Sequence, residues 1–113
     1  MKLRNPFSQE TRLLYDDIHW CYLCGENGSD CGGLEINHIT GRDSASPFNA
    51  SVLCKECHCH VGHTQEEEQN LFLINQKVLY TKGYTTTEDD MIFIINHPRI
   101  ISEEYRKWLQ TKL

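Results

Sequence analysis

Two hooks, Cys21-Tyr22-Leu23-Cys24 and Cys54-Lys55-Glu56-Cys57, flank residues 25–53 of this 113-residue chain. A two-residue gap lets both sulfurs of a hook face one ion, and two such hooks are the usual frame of a four-cysteine structural zinc site. The predicted ligands of a structural Zn²⁺ are therefore Cys21, Cys24, Cys54 and Cys57. The segment between the hooks exceeds the roughly fifteen to twenty residues of common zinc ribbons, which implies a functional insertion. Cys31 and Cys59 remain over and are expected to be free thiols.

Six cysteines in so short a chain point either to disulfides or to metal, and compartment decides between them. The N-terminal residues MKLRNPF contain no apolar signal stretch, and no run approaches a membrane span in length. The expectation is a protein of the reducing cytoplasm, with no membrane partner. Sixteen Asp/Glu stand against eleven Lys/Arg. That balance excludes a protein that coats nucleic acid by bulk charge, because phosphate neutralisation drives such binding. Contact at one local phosphate site stays open.

The inserted segment reads Leu34-Glu35-Ile36-Asn37-His38-Ile39, then Asn49, then Leu53-Cys54-Lys55-Glu56-Cys57-His58. Leu34 and Ile36 alternate, so residues 34–39 are predicted as a strand after the Gly32-Gly33 turn. Residues 41–47 are a polar loop, 50–53 a second strand, and a short helix follows from Lys55 to near Gly62. The pattern sets a histidine at a strand end, an asparagine in the connection and a histidine on a helix beside a knuckle. A neutral histidine can take a proton from water. A second histidine with an amide oxygen can hold a divalent cation with open positions.

At these residues the chain resembles the zinc-stapled HNH endonucleases of the ββα-metal (His-Me finger) group. The resemblance covers residues 21–63, a little over a third of the chain. It implies that His38 is the general base, that Asn49 holds it in orientation, and that His58 binds the catalytic cation, Mg²⁺, Mn²⁺ or another divalent ion. Asn37 stands where the family has Asp or His as a further metal ligand, and its neutral carbonyl is a weaker donor for a hard cation. The implied activity is hydrolysis of DNA phosphodiesters to 5′-phosphate and 3′-hydroxyl ends. Arg42 and His63 are further candidates, for the phosphate and the cation respectively. His60 is too near His58 for helical spacing, and His63 is one residue beyond it. The small format is similar to that of phage or mobile-element nucleases. The rival reading is a non-catalytic zinc module that binds DNA or protein on the same scaffold. Asn37 and the acidic balance favour that rival.

The flanks read as helices. Ser8 caps one over residues 8 to about 18, with Leu13, Leu14 and Ile18 on one face. Thr64 and Glu67 form a capping box for a long helix bearing Leu71, Ile74, Val78 and Leu79, which Gly83 stops. Thr87 with Asp90 opens another, Pro98 ends it, and Ser102 opens the last, carrying Tyr105, Trp108 and Leu109. The expected architecture is α+β: one domain over 1–113, with an HNH core at 20–63, an N-terminal helix, and a helical extension at 64–113. Leu71, Ile74, Val78 and Trp108 are expected to pack on the zinc core.

Overall fold

The computed structural model describes residues 6–41, 44–62 and 64–113. Ser8 opens the first helix, α1 (Gln9–Leu13), its hydroxyl accepting the Thr11 N–H at 3.1 Å. The helix is shorter than predicted. Beyond Leu13 the chain tightens into i→i−3 bonds, Tyr15 N–H to the Arg12 carbonyl and Ile18 N–H to the Tyr15 carbonyl, the winding with which helices commonly end. Asp16 and Asp17 fall there, and carboxylates oppose the negative end of a helix dipole. Of the predicted stripe, Leu14 and Ile18 do pack, half-buried, against the core, but Leu13 does not. Phe7, Thr11 and Tyr15 are buried at four-residue spacing, while Leu13 is 55 % exposed.

Two strands form an antiparallel pair, β1 (Leu34–His38) and β2 (Ala50–Cys54), with Leu34 opposite Cys54 and His38 opposite Ala50. All of β2 is buried, whereas each β1 residue is half-buried. The difference follows from position: β2 is covered by the helices, and β1 forms the outer rim. Cys54 ends β2 and also caps α2 (Lys55–His60), its sulfur receiving the Cys57 N–H at 3.4 Å. Strand and helix thus join with no intervening loop.

The long helix α3 (Gln65–Thr81) is capped by Thr64, whose hydroxyl accepts the Glu67 N–H at 3.2 Å. Only half of the predicted capping box is reciprocated in the expected place, because the Glu67 carboxylate reaches back to the Gly62 N–H at 2.9 Å. It ties the end of the α2 connection to α3. Gly83, at φ 75°, turns the chain out of the helix, and the Tyr84 N–H closes on the Leu79 carbonyl at 3.0 Å. The helix α4 (Glu88–Ile95) carries the full Thr87–Asp90 capping box. A 3₁₀ turn at Pro98–Ile100 leads to α5 (Glu103–Gln110), capped by Ser102.

One apolar cluster joins both halves of this small α+β domain. Phe48, Val52 and Leu53 from the sheet region pack with Leu71, Phe72 and Leu79 of α3, Phe93 and Ile94 of α4, and Leu109 of α5. Ile74 and Val78 lie half-buried against it. Trp108 does not join them: it is 52 % exposed, stacked on Tyr105 and beneath the Lys112 ammonium. Buried polar groups also bridge the halves. Asn75 of α3 accepts from the Tyr22 hydroxyl at 3.0 Å and donates to the Pro47 carbonyl at 2.8 Å. Asp90 of α4 accepts from the Ser46 and Tyr84 hydroxyls, each at 2.6 Å. No helix among the described residues is long and apolar enough to cross a membrane.

Candidate metal centre and cleft

The first hook is a turn closed on itself. The Cys21 N–H donates to the Glu26 carbonyl and the Gly25 N–H to the Cys21 carbonyl, at 3.0 and 2.9 Å. Gly25 sits at φ 73°, where a side chain would be strained. The Tyr22 N–H then donates to the Val52 carbonyl at 2.8 Å, fixing this turn against β2. The second hook is the β2–α2 junction. Together they bring the sulfurs of Cys21, Cys24, Cys54 and Cys57 within 4.8 Å of one another, with Cys24 and Cys54 at 4.0 Å. A zinc tetrahedron with bonds of about 2.3 Å has edges of about 3.8 Å, so these four cysteines can hold a metal ion such as zinc. Cys21 and Cys54 are buried and Cys24 is exposed.

Electrostatics favours a thiolate at the inner position. Burial works against ionisation of Cys21, but backbone hydrogen bonds at Cys24, Cys54 and Leu23 outweigh it and lower its pKa to about 7. Burial and the neighbouring Cys54 sulfur push the Cys31 thiol up to about 12. Cys31 donates to the Asn27 carbonyl at 3.2 Å, and neither it nor Cys59 is in a disulfide.

Beside the knuckles the strand end, α1, α2 and α3 enclose a cleft of about 180 Å³, whose lining includes Phe7, Arg12, Asn37, His38, His58 and Glu68. Three residues singled out in the sequence, Asn37, His38 and His58, therefore meet at one place. The His38 ring stacks on Phe7, centroids 4.1 Å apart and planes 13° from parallel. Phe7 is itself buried, so it is a rigid platform that sets the plane of the imidazole. His58 reaches across from α2 to β1, its Nδ1 lying 2.9 Å from the Glu35 carboxylate. Asn37 donates its amide to the Glu35 carbonyl at 3.3 Å.

Asn49, wholly buried, acts on the loop that follows His38. Its side-chain oxygen accepts from the Thr40 N–H and hydroxyl at 2.9 and 3.0 Å. Its amide nitrogen donates to the Gly41 and Ser44 carbonyls at 2.9 and 3.0 Å. Its own carbonyl receives the Ile39 N–H at 2.7 Å. The backbone on the C-terminal side of His38 is thus clamped.

Arg42 and His63 lie outside the described residues. Phe7, Arg12 and Glu35 were not singled out from the sequence. Glu35 carried a usable signal, since it shares a strand face with Asn37 by two-residue periodicity. The Phe7 stack spans a separation that no local pattern encodes. Searches against protein-family models, curated proteins and solved structures return no match for this chain.

Proposed function

We propose that the protein is a zinc-stapled, metal-dependent DNA endonuclease of the HNH type, with His38 as general base. The observation that carries this reading is the meeting of Asn37, His38 and His58 in one cleft, adjacent to a four-cysteine cluster. The four cysteines would hold zinc in a structural role, since protein sulfur would fill all four positions.

In this mechanism His38 takes the proton of the attacking water, and Phe7, stacked on the ring, holds its plane. Asn49 fixes the strand end from behind. Asn37 and His58 would hold a divalent cation such as Mg²⁺ or Mn²⁺, which when bound stabilises charge on the phosphoryl oxygens and the departing 3′ oxygen. Arg12 lines the cleft and would pair there with a phosphate oxygen.

The test is a plasmid-nicking assay with Mg²⁺ or Mn²⁺. His38→Ala is expected to lower the rate by about 10²–10⁴-fold, with zinc content, helicity and DNA binding retained. Equal cutting by wild type and His38→Ala would assign the activity elsewhere. The second reading, a non-catalytic zinc module that binds DNA or protein, is favoured by the neutral Asn37 and the net charge of −5. It wins if clean wild type cuts neither duplex nor branched DNA with any divalent metal.

A further inference from the structure

A hard cation needs a charged oxygen ligand, and Asn37 with His58 offers none. Glu68 also lines the cleft, but its carboxylate is paired with Arg99 at 2.7 Å. A second carboxylate, Glu35, lies two residues before Asn37 on the same strand. Glu35 and Asn37 alternate onto the same face of β1, paired with Leu53 and Ser51 of β2. Glu35 is also the group that His58 touches, Oε2 to Nδ1 at 2.9 Å. In octahedral coordination with bonds of about 2.1 Å, two adjacent ligand atoms stand about 3.0 Å apart. The Glu35–His58 separation is therefore the edge length of such an octahedron as well as a hydrogen-bond length. Both side chains remain open, His58 at 48 % and Glu35 at 38 % exposure, so water and a phosphate oxygen have room on the outer side. The Glu35 stem is one methylene longer than Asp, which gives it reach along the strand toward α2.

We propose that Glu35 and His58 are adjacent ligands of one hard divalent cation, with the Glu35 carboxylate supplying the charge that Asn37 lacks. The inference rests on the endonuclease reading for its purpose, but the cation site can be measured without any substrate. An alternative role for Glu35, orienting the His58 ring by a hydrogen bond, makes a different prediction. Glutamine keeps an acceptor oxygen for the ring and so preserves an orienting role, while it removes the charge a hard cation requires.

The experiment is Mn²⁺ titration of the zinc-loaded full chain, followed by the loss of the free-ion EPR signal. Glu35→Gln is expected to weaken Mn²⁺ binding by more than about tenfold, and Asn37→Ala by less. Adding Asn37→Asp to Glu35→Gln should restore most of the affinity by returning a carboxylate to the same strand face. Glu35→Asp, which draws the carboxylate back from His58, gives an independent weakening should the Gln variant lose its zinc. Binding by Glu35→Gln equal to wild type overturns the proposal, as does a wild type that binds Mn²⁺ no better than His58→Ala. Parallel nicking assays separate the two readings. Cutting by wild type with a Glu35-independent Mn²⁺ site sinks only the cation inference. A Glu35-dependent Mn²⁺ site with no cutting sinks only the nuclease reading.

Discussion

Among the described residues around the cysteines, no helix or strand is longer than six residues, and most of the span from Cys21 to Gly33 is turn. Beyond residue 63, α3 alone runs seventeen residues, and α3, α4 and α5 each begin at a side-chain cap. The first region cannot hold itself together by local propensity, since isolated elements so short do not persist in water. It relies on four sulfurs around one point, on polar clamps such as Asn49, and on the apolar cover lent by α3. The second region relies on amphipathic burial with locally satisfied ends. The contrast teaches where each kind of damage will be felt. A lost sulfur removes the centre of the first region, while a lost surface side chain leaves the second almost unchanged.

The largest expected effect comes from Cys54→Ser. Structural zinc supplies about 10 kcal/mol or more in small domains, and Cys54 is at once a sulfur of the cluster, the last residue of β2 and the cap of α2. The variant should elute without zinc and show no cooperative melt by circular dichroism. If it melts like wild type, the two regions do not differ in the way described.

An intermediate effect is expected from Asn49→Ala. Four hydrogen bonds disappear, and the Thr40, Gly41 and Ser44 groups lose their buried partner. A cost of roughly 2–4 kcal/mol follows from leaving such groups unsatisfied, to be read from urea denaturation with zinc kept bound. Because the loop lies next to His38, nicking activity should fall more than stability explains at temperatures where the variant is folded.

The smallest effect is expected from Trp108→Ala. With half its surface in water and its ring stacked on Tyr105 beneath the Lys112 ammonium, its removal should cost about 1 kcal/mol or less. A loss several times larger in the same urea experiment would show that the helical region depends on its rim as the zinc region depends on its sulfurs.

The same contrast explains what could be read from the residues alone. Caps are written locally, so Ser8, Thr64, Thr87 and Ser102 announce their helices, and the cysteine spacing announces the cluster. The strands were legible to within a residue at one end because alternation and the flanking turns bound them. The exposure of Leu13 and Trp108 was not, since helical periodicity says which residues share a face and leaves open which face meets the core. Nor was the destination of the Glu67 carboxylate, which found a donor at Gly62, two residues before its own cap. Asn37, His38 and His58 were legible as a set. Phe7 and Arg12 join them only through folding, whereas Glu35 shares the strand of Asn37 and His38 and meets His58 once α2 packs against β1.

The saturated side chain at position 49 has a bearing on how much variation the protein can accept. Two lone pairs and two amide hydrogens are all engaged at the end of a single methylene. Aspartate has the right length and no donors. Glutamine has the right groups on a stem one carbon too long, and serine or threonine carries too few of either. Of the twenty residues one alone meets the specification, so a library randomised there would return to a single letter under selection. The same library at position 108 would keep almost everything it was given.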